Sequence, residues 1–367
     1  LKTKILLLIP TLDRSGAEKQ LTLLATGLAF EEFDVRVVAL TRGGPYAKTL
    51  AEQGIDVQVL GKRFKFDPLT LSRLRRIIRE WQPDILHSWL FAANTYGRLV
   101  AGKGKTPKII VSERCVDSWK SRWQLWFDKK LIPRTHLLVG NSHSVADFYR
   151  QQGVPDRKLR VIYNGIDLPD APVVTREKLF EELGLPEEAR VVGFIGRLAP
   201  QKRVRDLAWT VELISNLQPH IHFVIIGDGP DRQQLETFAR ETQNTDRIHF
   251  LGHQPDPARF FPAIEVFWLA SDFEGLSNSI MEAMAAGVPV VASDIPPNRE
   301  LVVPQKTGYL VPVGDNVGRA KYTNILLEDK EQRAAFGQAA IARIRDQFSI
   351  PSMVAAYAKL YREVLTD

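Results

Sequence analysis

Cysteine is nearly absent: Cys115 is the only one in 367 residues. A single thiol closes no internal disulfide and anchors no cysteine-rich metal cluster, so a disulfide scaffold is excluded and a reducing cytosol is the natural compartment. Long apolar runs are also missing. None approaches the roughly 18 residues of a membrane-spanning helix. The opening run Ile5–Ile9 stops at Pro10 without a small-residue cleavage site, so it is expected to be a first strand and not a secretory leader. No G-x-G-x-x-G occurs. Its nearest approach, Gly227-Asp228-Gly229-Pro230, lacks the third glycine and carries a proline, which disfavours a dinucleotide oxidoreductase. Low-complexity tracts and solenoid repeats are absent. Acidic residues are in deficit, 43 against 49 Lys and Arg, for a net charge of +6. That excess suits a nucleotide, a nucleic acid or an anionic membrane, or serves only as a solubilising surface. The denser groups, Lys62–Lys65, Arg73–Arg79 and Lys120–Arg134, form no recognisable reading module with aromatics, which disfavours a nucleic-acid binder.

What is present is ordinary globular material, 44% hydrophobic and 25% charged, long enough for two domains. Strand-like runs recur at Ile5–Ile9, Val35–Leu40, Ile55–Leu60, Ile85–Leu86, Ile109–Val111, Leu137–Val139 and Leu159–Ile162. Helical patterns such as Ala17–Phe30 and Leu69–Trp81 alternate with them, which implies a parallel α/β sheet. The first strand runs into Gly16 at a strand-to-helix turn, where a backbone can approach a phosphate closely. Asn164-Gly165 is a turn signal, and Pro169–Pro172 reads as a linker, so the first domain is placed at 1–166 and the second at 167–349.

The second half opens with Val191–Gly196 as a strand, then Arg197 and Lys202 ahead of a helix that begins near Arg203. The spacing puts a forked cation and a point-charge cation at one sheet edge, a natural clamp for a diphosphate. Strand–helix pairs follow at Phe223–Ile226 with Asp231–Arg240, and at Ile248–Leu251 with a short helix over Phe260–Phe261. The most informative stretch is 268–294. Val266–Ala270 reads as a buried strand, Ser271–Gly275 as a polar turn, and the residues from Ser277 as a helix ended by Gly287 and Pro289. Glu274 falls in the loop and Glu282 about one turn into the helix. Both carboxylates can face the crevice outside the strand ends, where helix N–H groups point at anions.

This segment resembles the signature of GT-B fold glycosyltransferases, in particular glycosyltransferase family 4. The paired glutamates, the Gly275-Leu276 step, the small polar residues and Glu282-Ala283-Met284-Ala285 followed by Gly287, Pro289, Val290 and Val291 all match. Gly196-Arg197-Leu198 with Lys202 and the Asn164-Gly165-Ile166-Asp167 turn match as well. The resemblance implies two Rossmann-like domains facing across a cleft, an acceptor-binding first domain and a donor-binding second one. The resemblance also implies that residues 350–367 form a terminal helix crossing back to the first domain. The implied reaction moves a sugar, with retention, from a nucleotide-diphosphate donor (UDP-sugar first, GDP-sugar next) to an acceptor hydroxyl. Cell-surface polysaccharide or lipopolysaccharide biosynthesis is the implied setting.

The expected roles follow from charge. Departure of the sugar leaves negative charge on the diphosphate, which Arg197, Lys202, the Gly16 amide and the helix start at Leu276, Ser277 and Asn278 would stabilise. Glu274 would hold donor-sugar hydroxyls beside Gly275, and Glu282 the ribose diol. Leu251 lies near the expected nucleobase position. With two fixed cations and no Asp-x-Asp motif in a suitable loop, no metal and no cofactor are expected. No covalent nucleophile is evident, and the preferred mechanism is a front-face reaction in which the departing phosphate accepts the acceptor's proton. His87 matches the first residue of a His-x-His pattern, with Trp89 in place of the second. His87 is therefore a candidate site residue or a strand-end histidine, and Trp89 a sugar-stacking or a core residue. Trp119, Trp123, Trp126 and Phe127, flanked by cations, suit a membrane interface at the inner face of the membrane or a face packed on the sheet. Two rivals to the transferase reading are a nucleotide-sugar epimerase on the same fold and a non-catalytic nucleotide-sugar binding subunit.

Overall fold

The computed structural model describes residues 2–28, 30, 32–100, 107–116, 120–168 and 174–366. The expected linker residues Pro169–Pro172, and Trp119, lie outside the described residues. The chain divides into two compact units, Leu1–Gly165 with Ile350–Asp367, and Ile166–Ser349.

The first unit holds seven strands: β1 (Thr3–Thr11), β2 (Phe33–Arg42), β3 (Asp56–Val59), β4 (Ile85–Trp89), β5 (Lys108–Glu113), β6 (Leu137–Gly140) and β7 (Leu159–Val161). They pair in parallel in the order β3-β2-β1-β4-β5-β6-β7. The side-chain period of two is directly visible in β1. Ile5, Leu7 and Ile9 enter one core cluster, Leu6 and Leu8 the other. Both faces of the strand are therefore dry, which is why the run is continuously apolar instead of alternating. The last helix, Ile350–Thr366, adds Met353, Tyr357, Leu360, Tyr361 and Val364 to the first of these clusters and packs on the helix Gly16–Gly27.

The second unit holds β8 (Arg190–Ile195), β9 (Ile221–Ile226), β10 (Ile248–Gly252), β11 (Val266–Leu269), β12 (Val290–Ser293) and β13 (Gly308–Val311), parallel in the order β10-β9-β8-β11-β12-β13. Trp268 is fully buried in β11, and its indole N–H donates to Thr323 Oγ1 at 2.8 Å. In both sheets the strand order reverses once, between β1 and β4 and between β8 and β11. Such a reversal opens a crevice at the carboxyl ends of the strands, the usual ligand position in an open α/β sheet.

Candidate functional site

Arg197, Lys202, Glu274, Gly275, Leu276, Ser277, Asn278 and Glu282 all lie on the segments that follow β8 and β11, the two strands at the reversal point of the second unit. After β8 the chain passes Gly196 and an exposed Arg197, makes a 3₁₀ turn over Pro200–Lys202, and enters the helix Val204–Ser215. After β11 it runs through Ser271–Ser277 into the helix Asn278–Ala285. Ser277 caps that helix by accepting from the Ile280 amide at 3.3 Å. Glu274 lies in the intervening loop, buried, and Lys202 Nζ donates to its Oε1 at 2.5 Å. Sequence spacing alone places these two residues at the same edge; the direct ion pair is new.

Three further contacts stitch the loops together. The Asp272 amide donates to the Gln201 carbonyl at 3.0 Å, and Gln201 Nε2 donates to the Phe273 carbonyl at 3.0 Å. Arg203 donates to Asp272 Oδ1 at 3.2 Å and to Asp206 Oδ2 at 2.8 Å. Arg203 has φ +49°, a left-handed backbone uncommon for a side-chain-bearing residue. Its two carboxylate partners hold it there. These residues carry no motif signal, because the contacts join segments about 70 positions apart and only the fold brings them together.

The glycines of Gly227-Asp228-Gly229-Pro230 have a packing reason. Gly227 has φ +133°, and a Cβ on it would sit 1.9 Å from the Gly196 carbonyl oxygen; one on Gly229 would sit 2.1 Å from that of Leu198. The turn after β9 thus presses against the backbone that presents Arg197. Gly275, Leu276 and Ser277 are buried, and Asn278 and Glu282 half-buried, along the start of the helix. Leu251 is half-buried near the end of β10, two strands from β8, and its carbonyl accepts from Gln254 Nε2 at 2.9 Å.

In the first unit Gly16 opens the helix Gly16–Gly27, at the end of β1. The sequence reading missed what lies beside it. Glu18 is buried in the first turn, accepting from Thr11 Oγ1 at 3.0 Å and paired with the Ser15 hydroxyl. The spacing Ser15-x-x-Glu18 was the available signal.

Of the two readings of His87, a site residue or a strand-end histidine, the geometry matches the second. Its ring is fully buried, 2.7 Å from the Tyr361 hydroxyl and 2.8 Å from Ser112 Oγ. Burial, and then the charge of Arg114, push the imidazole down to about 3, so it stays neutral. Trp89 is equally buried, its ring under the Arg114 guanidinium at 4.4 Å. Both are core residues, because the terminal helix covers the strand end with Tyr357 and Tyr361. The helix Arg122–Leu131 does the opposite of packing its tryptophans inward: Trp123 and Trp126 are exposed. Among the described residues no group of three His, Cys, Asp or Glu could hold a metal ion, and no helix is long and apolar enough to cross a membrane.

Two family models match this chain, "Glycosyl transferases group 1" over residues 175–343 and "Glycosyltransferase Family 4" over residues 14–169. A lipopolysaccharide core biosynthesis glycosyltransferase of Rhizobium meliloti, LpsD, is 27% identical over 350 residues, 94% of this chain and 94% of that one. An N-acetyl-alpha-D-glucosaminyl L-malate synthase of Bacillus anthracis is 27% identical over 237 residues, 64% of this chain; the chain spans 62% of that relative's length. Among solved structures, the Anabaena protein HepE in complex with UDP-glucose superposes with a TM-score of 0.88 at 23% identity, covering 98% of this chain and 99% of that one.

Proposed function

Since the chain belongs to the GT-B glycosyltransferases that the group 1 and family 4 models describe, we propose that it moves a sugar from a UDP-sugar to a hydroxyl of a glycan or lipid-linked acceptor, with retention and without a metal. The observation that carries this reading is the stitched pair of loops at the β8/β11 reversal. There Lys202 donates to Glu274, the helix Asn278–Ala285 starts just after it, and Arg197 lies exposed on the loop that leaves β8. Such an arrangement meets charge that develops on a departing diphosphate, with groups already in place before the reaction. Glu274, held by Lys202, takes the donor sugar's hydroxyls, and Glu282 the ribose diol.

The balance of the reaction is simple. The anomeric C–O bond to the β-phosphate breaks, and the acceptor oxygen bonds to the same carbon from the same face. The acceptor's proton passes to the departing phosphate oxygen. Two side-chain cations take the part a divalent ion plays elsewhere. The complex of HepE with UDP-glucose supports uridine as the base, and the name of the Rhizobium relative supports a lipopolysaccharide-type glycan as acceptor. The first unit is assigned to the acceptor, and the setting is the cytoplasmic face of the membrane. Thermal shift against UDP, GDP, ADP and their common sugars tests the donor, since a ligand at 100 times its Kd stabilises by about 2.7 kcal/mol. UDP and a UDP-sugar are expected to raise the midpoint, and transfer is expected to persist in excess chelator. A shift with no nucleotide, or full loss of transfer in chelator restored by Mg²⁺ or Mn²⁺, overturns the respective claim.

A further inference from the structure

At the opposite edge of the second sheet, where its strands begin, lies a cavity of about 610 Å³. Arg190 opens β8, Glu265 precedes β11, and Gly287 and Pro289 lead into β12. The helix Lys330–Gln347 adds Lys330 and Arg333 from its first turn, and the helix Arg176–Leu183 adds its first residue. The helix Asn278–Ala285 starts just after the loop bearing Glu274 and runs down to Gly287, so its length, about 12 Å, separates this cavity from that loop. One buried carboxylate here meets three guanidiniums. Glu265 accepts from Arg190 Nε and Nη2, each at 3.0 Å, and from Arg176 Nη2 at 3.5 Å, and Arg333 Nη2 lies 3.1 Å from it. Backbone carbonyls fix the arginines as well. Arg333 donates to those of Leu326 and Leu327, Arg190 to that of Leu327, and Arg176 to that of Ala189 while stacking on the Phe180 ring at 4.3 Å. Lys330 is exposed at the rim, as are Glu187 and Glu188, which pair with none of these cations among the described residues. Asp329 turns to its own helix and accepts from the Gln332 amide at 2.8 Å. A brace for Glu265 needs one guanidinium; four cations around one buried carboxylate leave positive charge unanswered. Burial lowers the Arg333 guanidinium from its usual value; Glu265 opposes this, and the charges of Arg190 and Arg176 add to it. Arg176 Nε and Nη1, Arg190 Nη1 and Lys330 Nζ have no hydrogen-bond partner among the described residues.

We propose that this cavity binds a phosphate group, carried by inorganic phosphate or by a small phosphorylated metabolite, with Arg176, Arg190, Arg333 and Lys330 as its partners. Guanidinium forks match pairs of phosphate oxygens, and Lys330 adds a point charge. A dianion answers the positive charge that Glu265 leaves. The volume falls within the range of small-molecule sites, about 300–1,000 Å³, and leaves room beside the phosphate for an organic residue. The site goes beyond the sugar-transfer reading and does not rest on it.

Isothermal titration of the full chain at fixed ionic strength tests it, with inorganic phosphate and with glycerol 3-phosphate, each run without and with UDP. A saturable phosphate site that UDP does not displace is expected. Arg176→Gln with Lys330→Gln weakens it by about tenfold per cation. Should that pair of substitutions unfold the chain, Lys330→Gln alone carries the test, because Lys330 holds no partner. Tighter binding of glycerol 3-phosphate than of phosphate assigns the site to a phosphorylated metabolite, and the reverse order assigns it to the free ion. Absence of saturable binding, or binding that these variants keep at full strength, overturns the proposal. So does a phosphate isotherm that UDP or Lys202→Met abolishes, since that places the anion at the diphosphate clamp. Sugar transfer without phosphate binding refutes this site alone, and phosphate binding without transfer from any nucleotide-sugar refutes the functional reading alone.

Discussion

Lys202→Met separates the structural from the chemical part of the Lys202–Glu274 pair. The two side chains are 17% and 10% exposed, with N and O 2.5 Å apart. Removing the ammonium leaves the carboxylate buried without its partner. Breaking a buried pair from one side costs about 3–5 kcal/mol, and the residual exposure here places the loss near the lower end, about 3 kcal/mol. Transfer falls further than folding, because a cation aimed at developing charge is worth about 10²–10³ in rate. The double variant Lys202→Met/Glu274→Gln removes both buried charges, so urea unfolding returns to within about 1 kcal/mol of the wild type. Transfer does not return. The two measurements are unfolding by fluorescence and the acceptor-dependent release of nucleotide diphosphate. If the double variant recovers transfer along with stability, the pair is a structural brace and the catalytic assignment of Lys202 is wrong.

Three other outcomes follow from the geometry. His87 has its folded value depressed to about 3 from the usual 6.5, so its stabilising contribution is complete above pH 6.5 and is lost on acidification. The wild type is expected to lose about 1.4 kcal/mol more per pH unit below 6.5 than His87→Gln, read from urea midpoints across pH; equal slopes refute it. Arg203→Gly relieves a left-handed backbone worth about 1 kcal/mol and loses partly exposed ion pairs of similar worth, so stability barely moves. Its kcat nonetheless drops by about 10–10²-fold as the Asp272–Glu274 loop loosens, and an unchanged kcat sinks the clamp. Gly229→Ala drives a methyl group into the Leu198 carbonyl and displaces the turn that bears Arg197; a stability loss of about 1–3 kcal/mol and weaker nucleotide binding are expected in calorimetry.

The parts of the fold legible in the sequence are those governed by local pattern. Ile5–Ile9, Val37–Leu40 and Val266–Leu269 are apolar runs that become strands buried on both faces. The helix after Ser277 starts and stops where its cap and Gly287 place it; Gly287 has φ +74°. What could not be read is long-range. The burial of His87 depends on Tyr361, 274 positions away. A strand-end histidine with polar neighbours looks accessible until the terminal helix is laid over it. Trp123 and Trp126 share a spacing that fits a packed or an exposed face equally, and the buried Asp128 on their helix's inner side, paired with Arg98 and Lys120, decides for exposure. Arg197 and Lys202 were legible as cations at a sheet edge, but the braces that set Lys202 on Glu274, namely Gln201, Arg203 and Asp272, emerge only when two loops meet.

The most direct test of the account is to follow release of nucleotide diphosphate from a UDP-sugar with and without an acceptor hydroxyl, with the new glycosidic linkage assigned by NMR. Release is expected to require the acceptor, and the linkage to keep the donor's anomeric configuration. Conversion of the donor sugar with no acceptor present, or an inverted linkage, would contradict it.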